Sequence, residues 1–388
     1  MNTIIVIPDN PKLKGRRFLI SQSLRRKGWN VHYLMWDDPF HMNRRQLAKH
    51  CITSLRAKNY QYQGLTVHQI SRLPCYWPYI NGLLFKYQLK KIYKNNDVDI
   101  IFTETYTNET EIPKGLPFIY DLADDYRAPA DLYGTFLYKI AFWLLDVKGV
   151  MKRQCERALA VTSISDLLFD FAKHYNQKII KLPSGLAVDE ITYALNEQKS
   201  TVKNPYSLVY VSGFGPWSRI VETMETVQQL KTEFPRLTLT LIGSGSETSN
   251  IINFIKKNHA QEYMHYLGYV DDRNAVMSVI ANSAIGLNIS TKDKFRDAAH
   301  PIKVLEYTAM GKKVVSTNLA EVEGLGFSNI FIFNDSNNRS GLKNTLRRAL
   351  LYENRVDEYE DISKNVLTDY SWDKLTEDLI KLINRVVV

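Results

Sequence analysis

Apolar runs typical of buried strands alternate with amphipathic, helix-like stretches along almost the whole chain. The first run, IIVIP (4–8), is followed by a helical pattern over 15–28 and then by WNVHYLMW (29–36). The alternation fades in the polar stretch 195–206 and restarts at SLVYVSG (207–213). Strands that alternate with helices form parallel sheets covered on both faces. Two such series in tandem predict an α/β chain of two Rossmann-like domains whose parallel sheets face an interdomain cleft.

The length supports this division, because 388 residues are too many for one ordinary hydrophobic core. We therefore predict a first domain over residues 1–200 and a second that begins at 201. Ligands of open parallel sheets bind beyond the carboxyl ends of the strands. Each corner where a strand passes into a helix is thus a candidate binding site.

Positive charge is concentrated at the start of the chain. Residues 1–95 hold 17 Lys and Arg against 3 Asp and Glu, a balance of +14, while the rest of the chain carries −5, which together give the net +9. Such asymmetry favours a polyanionic partner. Nucleic acid, phospholipid headgroups and polyphosphate substrates all qualify.

The cysteines and the apolar runs predict a cytoplasmic location. Three cysteines, Cys51, Cys75 and Cys155, share no metal-ligand spacing and cannot all pair within one chain, which is typical of a reduced compartment. The run at the start spans five residues with no basic segment before it, so it indicates a first strand and not a signal peptide. The apolar stretch 136–147 is too short to span a bilayer.

Two corners of the second domain carry paired glycines. Gly213 and Gly215 follow one strand, with Arg219 close behind them, and Gly243 follows the next strand in LIGSGSE. Glycine lets the backbone approach a phosphate closely, and the start of the next helix offers unpaired N–H groups. Taken alone, a glycine pair at a strand end is more often a tight turn with no ligand.

The stretch HPIKVLEYTAMGKKVVST (300–317) is the most informative corner. Pro301 suits a first helical turn and thus predicts a helix start near residue 300. Lys303 and Glu306 then share one face, and a lysine beside the positive end of a helix is unfavourable unless an anion binds there. A diphosphate would satisfy Lys303, and ribose hydroxyls could donate to Glu306, whereas the alternative is a solvated ion pair. The expected buried stripe is Ile302, Leu305 and Ala309.

Residues 205–320 resemble the donor-binding half of family-4-like glycosyltransferases of the GT-B fold. That family typically reads P-x-K-x-x-E-x-x-A-x-G-x-x-V-V where this chain has PIKVLEYTAMGKKVV (301–315). The resemblance implies a glycosyltransferase that moves a sugar from a UDP- or GDP-sugar to a lipid-linked or growing glycan acceptor, with no separate cofactor. It also implies a donor domain over 201–370 and a final helix over 371–388 that packs back toward the first domain.

The resemblance further implies roles for single residues. Lys303 would bind the diphosphate, Glu306 the ribose, and the backbone of Tyr269 and Val270 the base. The part of the donor site that contacts the phosphates would be formed by Gly213, Gly215, Arg219 and Gly243. Trp217 offers a flat contact, and His300 either reaches the sugar or caps the helix.

This chain departs from the family pattern at three places. Ala298 stands eight residues before Glu306, where the family commonly has a second Glu, and Asp297 is adjacent. The first glycine turn reads SGFGPWSR (212–219). The first domain has YDLADDY (120–126) where the family has a His. This segment resembles that of a subgroup that builds bacterial envelope polysaccharides. Donor sugar, stereochemistry, acceptor and oligomeric state therefore stay open.

Three carboxylates lie at the end of the predicted strand LPFIYDL (116–122). A glycosyl transfer needs a group that accepts the proton of the acceptor hydroxyl. We predict Asp124 as that base, with Asp121 as the second choice and Asp125 on the acceptor side. An Asp in such a place can equally cap the following helix. Gly15, after the first strand, is expected to let an acceptor phosphate or sugar come close.

Aromatic, apolar and basic residues are interleaved in RLPCYWPYINGLLFKYQLKK (72–91). This mixture suits a membrane interface as well as it suits a core helix with a basic outer face. We expect a peripheral protein on the cytoplasmic leaflet that uses Lys86, Lys90 and Lys91. The aromatic and apolar members are Tyr76, Trp77, Tyr79, Leu83, Leu84 and Phe85.

Three other readings remain open at this stage. A sugar-nucleotide 2-epimerase shares the two-domain layout but leaves the basic first domain without a role. A nucleic-acid-binding protein would explain the charge of residues 1–95 but not the corner at Lys303 and Glu306. A transferase-like partner subunit without activity would explain Ala298. We expect no metal, because lysine, arginine and helix ends can neutralise a diphosphate.

Overall fold

The computed structural model describes residues 2–7, 15–36, 58–70, 78–127, 136–198, 204–334, 339–353 and 356–387. Some features singled out in the sequence lie outside these ranges. They are the aromatic residues Tyr76 and Trp77, the cysteines Cys51 and Cys75, and those basic residues of 1–95 that fall in 8–14, 37–57 and 71–77.

The chain forms two compact units. The first comprises Met1–Ser184 together with Trp372–Val388, and the second comprises Gly185–Ser371. Both are α/β units built on parallel sheets, so the predicted fold class is confirmed. The predicted domain boundary at residues 200 and 201 falls in the segment 199–203, outside the described residues, and the helix before it belongs to the second unit.

An eight-stranded sheet forms the centre of the first unit. Its strand order is β3-β4-β2-β1-β5-β6-β7-β8, and all neighbours are parallel except β3 and β4. The strands are β1 (Thr3–Ile7), β2 (Asn30–Trp36), β3 (Lys58–Tyr62), β4 (Leu65–Ile70), β5 (Ile100–Thr103), β6 (Phe118–Leu122), β7 (Ala160–Ser163) and β8 (Ile179–Lys181). Because β1, β5 and β6 are buried along their whole length, they appear in the sequence as continuous apolar runs.

The antiparallel hairpin β3–β4 was not predicted. Its turn residues Gln63 and Gly64 both have positive φ, 47° and 79°, which is the backbone that a two-residue hairpin turn requires. Strand β3 (KNYQY) is mostly exposed and polar, so its sequence lacks the apolar run that marked the other strands. A dipeptide ending in Gly between two alternating stretches was the signal available in the sequence.

Among the described residues, six helices cover this sheet, and the last returns from the end of the chain. They are α1 (Arg16–Arg26), α2 (Pro78–Asn95), α3 (Phe136–Leu144), α4 (Val147–Arg157), α5 (Asp166–Lys173) and, from the C-terminus, α15 (Trp372–Val386). Trp372 and Leu379 of α15 are buried in the same apolar core as Ile4 and Phe102. Asp373 also accepts hydrogen bonds from Ser23 and Arg26 of α1, at 2.6 and 2.7 Å.

The second unit contains a six-stranded, fully parallel sheet in the order β11-β10-β9-β12-β13-β14. Its strands are β9 (Ser207–Val211), β10 (Thr238–Ile242), β11 (Met264–Tyr266), β12 (Ile285–Asn288), β13 (Lys313–Thr317) and β14 (Ile330–Phe333). Its helices are α6 (Val188–Glu197), α7 (Ile220–Leu230), α8 (Thr248–Lys257), α9 (Arg273–Ala281), α10 (Lys294–Asp297), α11 (Ile302–Ala309), α12 (Ala320–Glu323), α13 (Arg339–Leu351) and α14 (Val356–Asp369). None of the helices in the described ranges of either unit is both long and apolar enough to cross a membrane.

Candidate functional site

Lys303 lies in the first turn of α11, a turn that contains no acidic residue. The helix begins after Pro301 with no side-chain cap and no acidic residue in its first turn. The Lys303 ammonium donates to the Ser212 hydroxyl at 3.5 Å and lies 5.6 Å from the centre of the Tyr210 ring. Within the described residues it forms no ion pair. Burial lowers the pKa of Lys303 to about 8, against the opposing influence of Glu306, so an anion at this place would meet a poorly solvated cation.

Glu306 is buried and is paired with an arginine. Its Oε1 accepts from Arg273 Nη2 at 2.5 Å, and Arg273 Nε donates to Glu190 at 3.1 Å. Only 8% of Glu306 is exposed, which excludes the alternative of a solvated pair with Lys303. Burial raises the pKa of Glu306, and the nearby Arg273 guanidinium opposes that rise.

The sequence did not single out Arg273, because its two carboxylate partners lie 83 and 33 residues away. Its place as first residue of a helix, after two aspartates, was the one local signal.

The predicted buried stripe of α11 was wrong at Ile302, which is 41% exposed. Leu305 and Ala309 are buried as expected. Every residue from 304 to 309 is buried, so α11 is enclosed on nearly all sides after its first turn. Ile302 is the first helical residue and precedes that enclosed part.

The glycine turn after β9 is packed against Trp217. A Cβ placed on Gly215 would overlap the Trp217 ring, whereas a Cβ on Gly213 would meet open space. Trp217 is 38% exposed, and Arg296 lies over its ring at 5.1 Å. Gly215 is therefore required by packing, and Gly213 leaves room for a ligand.

The glycine turn after β10 is packed against the turn after β9. A Cβ on Gly243 would overlap the carbonyl oxygen of Ser212, and one on Gly245 would overlap that of Phe214. The backbone N–H of Phe214 donates to Ser244 at 3.0 Å, which ties the two turns together. Close packing of two backbones is thus a sufficient reason for both glycines.

Arg219 is occupied by contacts inside the unit. Its guanidinium donates to both oxygens of Glu222, at 2.8 and 2.7 Å, and lies 5.6 Å from the Phe333 ring. Arg296 forms an ion pair with Asp293, and Asp297 accepts from the Ala320 N–H at the start of α12 at 3.1 Å. These contacts give Arg219 and Asp297 structural roles, whatever a ligand adds.

The remaining predicted donor residues differ in exposure. His300 is buried and stacks on Tyr370 with ring centres 5.8 Å apart. Tyr269 is 72% exposed in the loop after β11, and Val270 beside it packs partly against the core. The Gly268 carbonyl accepts from Gly243 N–H at 2.8 Å, which brings this loop next to the glycine turn after β10.

In the first unit, Asp121 is fully buried and fully engaged. Arg16 donates to both of its oxygens, at 3.0 and 3.1 Å, and Thr162 donates to Oδ1 at 2.7 Å. Arg16 also donates to the carbonyl oxygens of Leu182 and Pro183, at 2.7 Å each. A carboxylate with three donors has little capacity left to accept a substrate proton.

Asp124 differs from both neighbouring aspartates. Asp125 is buried and accepts from the Arg127 guanidinium at 2.7 and 2.9 Å. Asp124 makes no hydrogen bond or ion pair within the described part of the chain. Burial raises its pKa to about 6, although Arg17 and Arg16 oppose that rise. A general base near neutral pH needs such a pKa.

Gly15 is the residue that precedes α1, with extended backbone and no side-chain cap. Beside it, Arg17 pairs with Glu104, which also accepts from the Tyr126 hydroxyl at 2.5 Å. No group of three or more His, Cys, Asp or Glu among the described residues is arranged to hold a metal ion. The expected absence of a metal stays a prediction.

Comparison with known families assigns the second half of the chain. Residues 194–381 match the sequence model described as glycosyl transferases group 1. The match spans just under half of the chain. The match includes α11 with Lys303 and Glu306, as well as both glycine turns, and thus confirms the resemblance to glycosyltransferases at the level of the family.

A curated relative is similar over part of the chain. It is the UDP-N-acetylglucosamine–peptide N-acetylglucosaminyltransferase GtfA subunit of Streptococcus gordonii, 28% identical over 126 residues. The match covers 32% of this chain and 23% of that protein, so less than a quarter of the relative's length is represented.

Solved structures share the fold of the whole chain. Sucrose-phosphate synthase from Thermosynechococcus elongatus has a TM-score of 0.71 at 12% identity, with 100% of this chain and 99% of that chain covered. Anabaena Alr3699/HepE in complex with UDP has a TM-score of 0.69 at 14% identity, with 99% and 100% covered. These neighbours are glycosyltransferases of the GT-B type, so the predicted GT-B fold is confirmed.

Proposed function

We propose that this chain is a glycosyltransferase that moves a sugar from a UDP- or GDP-sugar to a hydroxyl of a lipid-linked or growing glycan acceptor in polysaccharide or glycoconjugate biosynthesis. The observation that carries the proposal is Lys303. It is a partly desolvated cation in the first turn of α11, without an ion-pair partner in the described ranges. A diphosphate supplies the negative charge that this helix start favours.

The proposal divides the chemistry between the two units. In the second unit, Lys303 binds the diphosphate and stabilises it as it departs, and Glu306 accepts hydrogen bonds from the ribose. Gly213 gives the phosphates access to the backbone, and the Tyr269–Val270 backbone contacts the base. In the first unit, Asp124 accepts the proton of the acceptor hydroxyl.

A uridine nucleotide is the first donor class to test. The Anabaena protein was crystallised with UDP, and the streptococcal relative is named for UDP-N-acetylglucosamine. Similarity of fold at 14% identity carries no substrate by itself. These names therefore set the order of the test, with GDP-sugars next.

Donor hydrolysis across a panel of nucleotide sugars tests the proposal. The chain should release nucleoside diphosphate from at least one UDP- or GDP-sugar. The Glu306→Ala variant should lose this release through weaker donor binding, and Asp124→Ala should bind the nucleoside diphosphate normally but turn over slowly. Failure of every donor, together with no thermal shift by UDP, GDP or TDP, would contradict the proposal.

We also propose that the first unit docks on an anionic membrane, where a lipid-linked acceptor resides. Helix α2 exposes Tyr79, Leu83 and Tyr87 by 72, 69 and 59%. These residues are four apart and therefore form one stripe. At 3.6 residues per turn, Lys86 and Lys90 extend the same face, so apolar and basic side chains point to the same side.

Helix α3 adds a second exposed apolar group to this surface. Trp143 is 77% and Leu144 is 47% exposed. The Asn108 side chain donates to the Leu144 carbonyl at 3.1 Å. The Asn108 carbonyl would lie 3.3 Å from a Cβ on Gly82 of α2, so one loop joins the two helices. Exposed aromatic and aliphatic side chains with lysines beside them are typical of proteins that bind at the bilayer interface.

Vesicle flotation tests this docking surface. Binding to vesicles with anionic lipid should weaken with salt and should be lost in a variant with Lys86, Lys90 and Lys91 changed to Glu. Trp143→Ser should reduce binding without changing its salt dependence. Changing the exposed Lys256 and Lys257 of the second unit to Glu is the matched control. Equal binding by all variants, or none by the wild type, would contradict the docking proposal and leave the donor proposal intact.

A further inference from the structure

Three helices of the second unit meet at one guanidinium. Arg273 is the first residue of α9, and it bridges Glu190 near the start of α6 and Glu306 in α11, at 3.1 and 2.5 Å. Its side chain is 41% exposed, whereas Glu306 is almost fully buried. Arg273 therefore lies between solvent and a buried carboxylate that the proposed function assigns to the ribose.

We infer that Arg273 is a positioning residue for the donor: it keeps Glu306 ionised and occupies Oε1, so that Oε2 is left to accept from the ribose diol. This inference rests on the proposed function. Oε2 of Glu306 has no hydrogen-bond partner among the described residues, so its acceptor capacity is unused. Glu190 holds the other side of the guanidinium and fixes its direction.

The ion pair between Arg273 and Glu306 also determines what Lys303 can bind. Lys303 and Glu306 are three residues apart on one helix and can reach each other. Because Arg273 neutralises Glu306, the Lys303 ammonium is left for the diphosphate. Without Arg273, Lys303 would become the nearest cation to a buried carboxylate, and both groups would be diverted from the nucleotide.

The ionisation state of Glu306 matters for the ribose. Burial favours the neutral carboxyl, and Arg273 is the main influence against it. A neutral carboxyl carries a proton on one oxygen and is the weaker acceptor, while hydrogen bonds to an ionised carboxylate are about twice as strong. Removal of Arg273 should therefore weaken the recognition of the diol most at lower pH.

Calorimetric titration with UDP and GDP, and with their 2′,3′-dideoxy forms, tests the inference. Wild-type protein should prefer the ribose form by about tenfold or more, the range expected for hydrogen bonds to a charged group. In Arg273→Met this preference should fall to about twofold at pH 7 and recover in part at pH 9. Arg273→Lys should retain part of it.

Glu190→Gln is the matched control, because it keeps Arg273 and its contact to Glu306. It should retain most of the preference for the ribose form. If Arg273 only joined the helices, Arg273→Met and Glu190→Gln would lower the melting temperature and weaken both ligand forms equally, which would overturn the inference. An unchanged preference in Arg273→Met would overturn it as well, while wild-type protein that bound no ligand would overturn the proposed function and this inference together.

Discussion

The two units differ in which of their candidate site residues form ion pairs. In the first unit, Arg16 holds Asp121 and Arg127 holds Asp125, while Asp124 has no such partner in the described part of the chain. The three carboxylates lie within five residues of one another, so their contacts and not their sequence positions separate them. A neutralised carboxylate stabilises the fold, and Asp124 is the one that the proposed function assigns to the substrate.

In the second unit, the candidate group that forms no ion pair within the described residues is a cation and not a carboxylate. Arg273 neutralises the carboxylate Glu306, and the cation Lys303 has no ion pair within the residues described. In the proposed function the first unit supplies the proton acceptor and the second unit the group that binds the anion. A glycosyl transfer requires both of these functions, one at the acceptor hydroxyl and one at the departing diphosphate.

Removal of the charge of Asp124 should have the largest effect on turnover. Asp124→Asn should lower kcat by about 10²- to 10⁴-fold, the usual contribution of a general base. Wild-type kcat/KM should fall as the pH drops through about 6, because Asp124 then binds a proton. Steady-state kinetics from pH 5 to 8 measure both effects, and turnover of Asp124→Asn within twofold of wild type would show that Asp124 is not the base.

Arg16→Met should lower the free energy of unfolding, whereas Asp124→Asn should not. It leaves the fully buried Asp121 with Thr162 as its remaining donor, and loss of one partner of a buried pair costs about 3–5 kcal/mol. Urea unfolding measures this loss. The control is Arg26→Met on the same helix, whose pair with Asp373 is half-exposed and should contribute at most about 1 kcal/mol. Equal losses in the two variants would contradict the assignment of a structural role to Arg16.

Alanine substitutions in the two glycine turns should distinguish a packing role from a ligand-binding role. Gly243→Ala forces a side chain onto φ of +129° and into the Ser212 carbonyl, so we expect a loss of about 1–3 kcal/mol in stability. Gly213→Ala meets open space and should change stability by less than about 0.5 kcal/mol. Its affinity for nucleoside diphosphate should nevertheless fall. Full affinity in Gly213→Ala would exclude a close approach of phosphate there.

The smallest effect concerns a histidine pair of the first unit. His32 Nδ1 and His68 Nε2 are 2.8 Å apart and buried, and burial, with His32 adding to it, lowers the pKa of His68 to about 4. The folded state therefore resists protonation, so stability should fall as the pH drops from 6.5 toward 4. His68→Gln should flatten this part of the curve of melting temperature against pH, and an unchanged slope would assign the acid sensitivity to other groups.

The sequence predicted features that depend on neighbours along the chain. Buried parallel strands such as β5 and β6 appear as apolar runs, and α11 was placed by Pro301 and the spacing of its apolar residues. Periodicity did not indicate that residues 136–157 form two helices, α3 and α4, which are separated at Asp146 with its φ of 50°. No pattern of periodicity marks such a single break.

Features that depend on distant contacts were not accessible from the sequence. The partner of Glu306 lies 33 residues away, and the partner of Asp121 lies 105 residues away. The sequence could nominate three aspartates, but the distant pairing with Arg16 is what separates Asp121 from Asp124, while Asp125 is paired with its near neighbour Arg127. The reason for Gly243 is likewise a contact with another turn, and the sequence presented it as a phosphate-binding residue.

Calorimetric titration of Lys303→Met with UDP and GDP tests the central claim most directly. The variant should lose at least about tenfold in affinity for the nucleoside diphosphate, while its affinity for the nucleoside alone stays as in the wild type, because a charge-assisted contact to phosphate contributes about 1.5–3 kcal/mol. Lys256→Met, an exposed lysine of the same unit, should behave as the wild type. Unchanged diphosphate affinity in Lys303→Met would contradict the account.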